Sequence, residues 1–324
     1  RVNLAASVIS GVAAIVMALT GFGVWSLVWR SIIRSVISAA MLWYTNRWIP
    51  LVKFSRESFR SLFSFGSKLL LSNLIDAIYN NMFLLIIGKF YSASQLGFYT
   101  RADQFSRLVS KNLTGTVQRV SYPVLSQVQD EDERLREGYR KVIMATMFVT
   151  FTLMLGMAAC SESMIVTLIG KKWLPAVEFL QLLCLTAMLY PLHALNVNIF
   201  NIKGRTDIIL RLEIVKKLLA VPVIVIGIYA GIMSLLVGMV LHSLVGYFIN
   251  AWYSGRLIGY SLRSQLADIV PSFLVAVTVA VPVWAMKFIP GLPEPLLLLL
   301  QVALLLALTV LLAKKLRLQG YTEI

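Results

Sequence analysis

The chain has 324 residues, of which 58% are hydrophobic and 14% charged, and its mean hydropathy is +0.79. A soluble domain carries about 25% charged residues, so these values exclude an ordinary soluble protein and point to an all-α polytopic membrane protein. The formal net charge of +15 reads as anchoring to anionic inner-leaflet lipid, not as nucleic-acid binding.

Ten candidate spans follow in chain order from hydropathy and length. They are Leu4–Thr20, Val24–Tyr44, Phe65–Gly88, Arg101–Val128, Val142–Cys160, Ala176–Phe200, Ile208–Tyr229, Ile232–Tyr253, Ile269–Met286 and Leu296–Ala313. The first residue is Arg1, not Met, and it leads straight into an apolar run. The chain therefore reads as a fragment of a longer protein that has further helices upstream. Between the second and third spans, residues 48–64 (WIPLVKFSRESFRSLFS) form a basic amphipathic segment suited to the membrane surface. Asp130–Glu137 reads as a solvated loop of mixed charge. The seventh span opens on Arg211, Glu213, Lys216 and Lys217, which are expected to project from the bilayer or to snorkel. Cys160 and Cys184 have no motif spacing. His193 and His242 stand alone in apolar runs, and packed or pore-lining roles suit them better than metal ligation.

The third and fourth spans, with the polar residues they carry, organise the rest. Asn73, Asp76 and Asn80 fall at helical spacing on one face of the third. Gln104, Arg107, Lys111, Gly115 and Gln118 make a polar stripe along the fourth. A charged side chain at mid-bilayer costs at least about 2.5–3.5 kcal/mol, so two polar-faced helices in tandem imply a water-filled cavity. Hydropathy alone would reject the fourth span, but loop charge supports it. With ten spans, fifteen basic residues fall in one set of alternate loops (Arg47, Lys53, Arg56 and Arg60 at the start, Lys314, Lys315 and Arg317 at the end) and four in the other. Basic residues concentrate on the cytoplasmic side, so the linker and the C-terminal tail are both expected inside. Removing the fourth span would place eleven of those charges outside.

An internal repeat is also visible. Val24–Arg47 ends in WYTNR and Ile232–Arg256 in WYSGR, each after a glycine-containing turn. Transporters are commonly built from such repeats, with the substrate site between them.

The sequence resembles a known family. The resemblance rests on FGSKLLLSN (65–73), IGKF (87–90), LGFYTRA (96–102), SYPVLS (121–126), GKKWLPAV (170–177) and KGRTD (203–207), in that order. It is similar to the Wzx-type lipid-linked oligosaccharide flippases. These are the polysaccharide transporters of the MOP superfamily, which also contains the MATE drug exporters. The resemblance implies a two-lobe helical bundle that lacks its first four helices here. It assigns 1–47 to the end of the N-terminal lobe and 48–64 to a cytoplasmic linker. A six-helix C-terminal lobe would occupy 65–256, and two terminal helices with a tail 257–324. Many relatives carry an acid shortly before the Ile-Gly pair. Phe83 and Leu84 stand there in this chain, with Asp76 two turns upstream.

The function the resemblance implies is movement of an undecaprenyl-pyrophosphate-linked oligosaccharide across the bacterial cytoplasmic membrane, for lipopolysaccharide, capsule or exopolysaccharide synthesis. A hydrated anionic headgroup must then cross a layer that excludes it. That demands cationic groups for pyrophosphate and polar groups for sugar. The candidates are Arg30 and Arg34 in the second span, Arg101, Arg107, Lys111 and Arg119 in the fourth, and Asn73, Asp76 and Asn80 in the third. Asp103 is spaced to pair with Arg107. Snorkelling competes for Arg30 and Arg34, and interfacial anchoring for Arg101. No cofactor or metal is expected, although a proton or sodium gradient is a natural coupling source. Expected partners are the lipid-linked glycan, membrane lipids, and the polymerase and glycosyltransferases of the same pathway. The alternatives are a peptidoglycan-precursor flippase, a MATE-like multidrug exporter and, from another class, a membrane glycan ligase. Against the last, the expected outer loops are short and contain only Glu162 and Glu294 as acids. No phosphate-binding loop, paired carboxylates or metal-ligand spacing is present either.

Overall fold

The computed structural model describes residues 2–46, 55–56, 59–60, 63 and 81–315. All regular elements among them are helical. The chain divides into two compact units, residues 1–76 and 77–324.

In the first unit, α1 (Val2–Leu19) and α2 (Trp25–Asn46) pack together as a hairpin. The turn runs through Gly21 and Gly23, at φ 91° and 51°, a left-handed backbone that glycine adopts without a Cβ clash.

The second unit holds ten α-helices among its described residues. They are α3 (Met82–Phe90), α4 (Ala93–Gln127), α5 (Asp132–Ala159), α6 (Ser161–Ile169), α7 (Ala176–Ala187), α8 (Tyr190–Ile202), α9 (Thr206–Ala230), α10 (Ile232–Ile258), α11 (Leu262–Ala285) and α12 (Glu294–Lys315). Five stretches among the described residues are long and apolar enough to cross a membrane: Asp132–Ala159, Ala176–Ile202, Ile232–Ile258, Leu262–Phe288 and Glu294–Lys315. The protein is a multi-pass helical membrane protein.

Several expected boundaries move. The helix over the expected fourth span begins eight residues early because Ser92 caps α4. Its Oγ accepts from the Gln95 amide, and the Gln95 side chain accepts from the Ser92 amide, both at 3.2 Å. This capping box satisfies donors at the helix start. At 35 residues, α4 is about 52 Å long. The stretch Ala176–Phe200 is two helices, α7 and α8, separated at Met188 and Leu189, with Pro191 in the first turn of α8. Asp130–Glu137 is not a loop: from Asp132 it forms the first turns of α5. There Asp132 pairs with Lys203 at 2.7 Å, and Glu133 with Arg136.

The core explains how α4 is held. Its buried face reads Tyr99, Ala102, Ser106, Ser110, Thr114, Ser121 and Leu125, one residue per turn and mostly small. Ser106, Ser110 and Thr114 donate back to the carbonyls of Asp103, Ser106 and Ser110 at 3.1, 3.0 and 2.7 Å. Their hydroxyls are thus satisfied locally, and α4 can lie against α7 and α8. One apolar cluster joins Tyr99 and Ala102 to Phe179, Leu180, Ile232 and Leu235. The largest cluster joins Leu125 to α5, α8, α10 and α11 through Tyr139, Met147, Leu192 and Tyr247. Phe151 meets Phe273 edge-on at 5.2 Å across α5 and α11.

Two polar devices also pin helices together. The fully buried Gln301 of α12 accepts from Ser163 Oγ at 2.7 Å and donates to the Val283 carbonyl at 3.1 Å. It thereby ties α12 to α6 and α11. Arg140 of α5 grips Asp268 of α11 with two bonds of 2.7 Å, and Tyr260 donates to the same carboxylate at 2.6 Å. Burial, reinforced by that carboxylate, pushes the Tyr260 phenol above its ordinary range, so it remains a donor.

Candidate functional site

A cavity of about 270 Å³ opens between α3, α4, α7, α8 and α10, with Phe83, Leu183, Ala187 and Met239 in its lining. Asp103, Ser106, Arg107, Ser110 and Lys111 of α4 line one wall. Thr186 of α7, Tyr190 and His193 of α8, and Ser243 of α10 line the other. A second lobe of about 300 Å³ shares Phe83, Thr186, Tyr190, His193, Met239 and Ser243 with the first, and adds Glu213, Lys216, His242 and Gly246.

Helical spacing builds the cationic wall. Positions 103, 107 and 111 recur every four residues, so all three lie on one side of α4. Arg107 Nε donates to Asp103 Oδ1 at 2.6 Å, the pair that the spacing predicts. Asp103 is the more sheltered partner, with side-chain exposures of 19% against 40% for Arg107. Lys111 makes no ion pair among the described residues, so this wall carries two cations for one carboxylate. In the second lobe, Lys216 is paired with Glu213 at 2.5 Å. This corrects its expected place in the membrane interface: Lys216 faces the cavity, and its side chain is only 14% exposed. Tyr190, His193, Ser243 and Thr186 offer hydrogen-bonding groups opposite the charges.

The other expected site residues separate. Arg101 stands exposed near the start of α4, beside Gln104 (3.0 Å) and 5.5 Å from the Trp173 ring centroid. Its geometry is that of an anchor by cation–π contact, away from the cavity wall. Arg119 is exposed, donates to the Gly115 carbonyl at 3.0 Å and does not line the cavity. Gln118 turns inward and donates to Asn198 Oδ1 at 3.1 Å, so it fastens α4 to α8. Arg30 and Arg34 are exposed on α2 in the first unit, one turn apart. Asn73, Asp76 and Asn80 lie outside the described residues. Sequence reasoning missed Ser106, Ser110, Thr186, Tyr190 and Ser243. Small hydroxyl residues in apolar helices carry little signal, and only the folded chain brings these together.

Comparison with known proteins gives the lineage. A family model described as "Polysaccharide biosynthesis protein" matches residues 1–178, more than half of the chain. The chain belongs to this family. Its relatives include the teichuronic acid biosynthesis protein TuaB of Bacillus subtilis (strain 168). The two are 26% identical over 239 residues, which cover 74% of this chain and 50% of TuaB. The lipopolysaccharide biosynthesis protein WzxC of Escherichia coli (strain K12) is 26% identical over 258 residues, or 77% of this chain and 52% of that protein. The succinoglycan biosynthesis transport protein ExoT of Rhizobium meliloti (strain 1021) is 25% identical over 178 residues, 55% of this chain and 36% of ExoT. This chain spans about half the length of the first two. Among solved structures, the lipid II flippase MurJ in an inward closed conformation superposes with a TM-score of 0.72 at 14% identity. The match covers 96% of this chain and 67% of MurJ. The fold of this family member is therefore MurJ-like, and at that identity the likeness speaks for the fold alone.

Proposed function

We propose that the full protein carrying this chain flips a lipid-linked oligosaccharide from the inner to the outer leaflet of the bacterial cytoplasmic membrane, by alternating access, for surface polysaccharide synthesis. The observation that carries this reading is the α4 wall: Arg107 and Lys111 against the single carboxylate of Asp103, in a cavity whose other lining combines hydroxyl, phenol and imidazole groups with the apolar Phe83, Leu183, Ala187 and Met239. Such a wall suits a diphosphate. Arginine offers two parallel donors, and lysine a compact charge, for phosphate oxygens. The opposing Thr186, Tyr190 and Ser243 suit sugar hydroxyls. The excess of cations favours an anionic headgroup over the cationic drugs an exporter would bind. The family membership and the names of WzxC and ExoT point the same way.

In this reading the chain carries out no covalent chemistry, and its partners are the glycan lipid, the surrounding bilayer and the enzymes that build and polymerise the glycan. Arg30 and Arg34 of α2, and Asn73, Asp76 and Asn80, are proposed to contact the same substrate from the rest of the transport path. Loop charge favours a cytoplasmic side for the linker and the C-terminal tail, and residues 65–256 are proposed as the second lobe of the transporter.

Complementation tests this proposal. The full-length gene, expressed in a bacterium whose own flippase of matching glycan specificity is deleted, should restore surface glycan without changing the mass of the lipid-linked precursor. A precursor of altered mass would instead support the ligase reading, and absence of surface glycan with normal membrane abundance would contradict transport of that glycan.

A further inference from the structure

His193 occupies the wall shared by the two lobes of the cavity, and both of its ring nitrogens are engaged. Nδ1 lies 3.2 Å from Asn250 Nδ2, and Nε2 lies 3.2 Å from Ser243 Oγ. With the Asn250 amide nitrogen as donor, Nδ1 accepts. The ring proton then sits on Nε2 and is donated to Ser243, whose hydroxyl points to the Thr186 carbonyl at 3.4 Å. This is a neutral imidazole with a fixed tautomer. Asn250 is fully buried, yet its Oδ1 has no hydrogen-bond partner among the described residues. An unpartnered buried oxygen is costly. Half a turn of the amide brings that oxygen to the imidazole, where it can accept from an Nδ1–H. The site can thus hold the ring in a second, doubly protonated form, in which both ring N–H groups donate to oxygen.

Charges around the ring decide when that form is favoured. From α4 it is faced by Asp103, Arg107 and Lys111, from α9 by the Glu213–Lys216 pair, from α10 by His242, and from its own helix by Tyr190. His242 is occupied by a 2.9 Å bond between its Nε2 and the Lys216 carbonyl. Three fixed cations oppose two carboxylates, so the empty cavity disfavours a further positive charge. A diphosphate adds two negative charges and reverses that balance. Resting on the flippase reading, we propose that His193 is a proton-binding site of this cavity, taking one proton from solvent when the diphosphate of a lipid-linked glycan arrives and returning it on release. Binding and protonation then reinforce each other equally.

The test uses full-length protein in lipid nanodiscs. The ligand is a short polyprenyl diphosphate carrying one sugar, both of whose phosphates are esterified, so the ligand itself does not titrate near neutrality. Affinity measured from pH 5.5 to 8 should fall about a hundredfold with rising pH. Calorimetry of the unaltered protein in buffers of different ionisation enthalpy should count uptake of about one proton per ligand near neutral pH. His193→Gln should flatten the pH profile, and His242→Gln should keep it. The inference is overturned if the unaltered protein binds without taking up a proton, if His193→Gln keeps the slope, or if the slope is lost with His242→Gln instead. Binding with a flat profile removes only this inference. No binding at any pH removes the flippase reading as well.

Discussion

At the scale of single residues, function turns on which charges are shared and which are free. Arg107 gives part of its charge to Asp103 at 2.6 Å, whereas Lys111 makes no ion pair among the described residues. A charge-assisted hydrogen bond is worth about 1.5–3 kcal/mol. Arg107→Gln and Lys111→Gln are therefore each expected to lower transport about ten- to a hundredfold at normal membrane abundance. Arg107→Lys should keep part of it, because the charge stays while the planar fork is lost. Surface glycan and membrane abundance, read in the same cells, check this; full export by either Gln variant would show that its charge is structural. Arg101→Gln and Arg119→Gln should have much smaller effects, since neither residue lines the cavity. Asp103 and Arg107 were legible in the sequence as a pair four residues apart. Lys216 was not, because a lysine near a helix end reads equally well as a snorkelling residue, and only its bond to Glu213 and the course of α9 bring it into the cavity.

At the scale of elements, α4 teaches the most. Its hydropathy is too low to mark a span, and the alternation of loop charge was the signal that kept it. What the sequence could not show is that Ser106 and Ser110 satisfy their hydroxyls on their own helix, which lets α4 pack closely, and also share the cavity wall with Arg107 and Lys111. The kink between α7 and α8 was also hidden, because both halves are apolar and a proline is tolerated within a membrane helix. Packing elsewhere depends on glycine. A Cβ on Gly156 would lie 2.5 Å from Leu305 Cδ2, so α5 and α12 can approach closely only with glycine there. Gly156→Val should destabilise the bundle by about 1–3 kcal/mol, seen as a lower midpoint of thermal unfolding in detergent, whereas Gly115→Ala, in open space, should leave it unchanged. The Arg140–Asp268–Tyr260 cluster makes a comparable prediction. Asp268→Asn weakens both bonds from Arg140 and should cost about 1.5–3 kcal/mol. An unchanged unfolding midpoint would show that the cluster contributes little to holding α5 and α11 together.

At the scale of the whole molecule, hydropathy and charge revealed the all-helical membrane class more readily than the site. The matching WYTNR and WYSGR hairpins, α1–α2 and α9–α10, both turn through glycines of positive φ (Gly21, Gly23 and Gly231). They show how far a repeat can be read before any fold is seen. The cavity was only half legible, since its α4 wall is periodic in sequence while the opposing wall is assembled from three helices. The topology expected from loop charge can be tested directly. In a cysteine-free version of the full protein, single cysteines at positions 136 and 314 should be shielded from an impermeant thiol reagent added outside the cell, and one at 172 should react. Reaction at 136 without reaction at 172 would mean that α4 does not cross.

The central claim is that the cationic cavity carries a lipid-linked headgroup across the bilayer, and translocation in sealed proteoliposomes measures it most directly. With full-length protein and a fluorescent polyprenyl-diphosphate oligosaccharide in both leaflets, an external glycosidase should progressively reach the whole pool, with the lipid-linked species otherwise unchanged in mass. The Arg107→Leu, Lys111→Leu double variant, inserted at equal density, should leave the inner-leaflet share protected, as in protein-free vesicles. Equal and complete access with the double variant, or no gain by the unaltered protein over empty vesicles, would contradict this account.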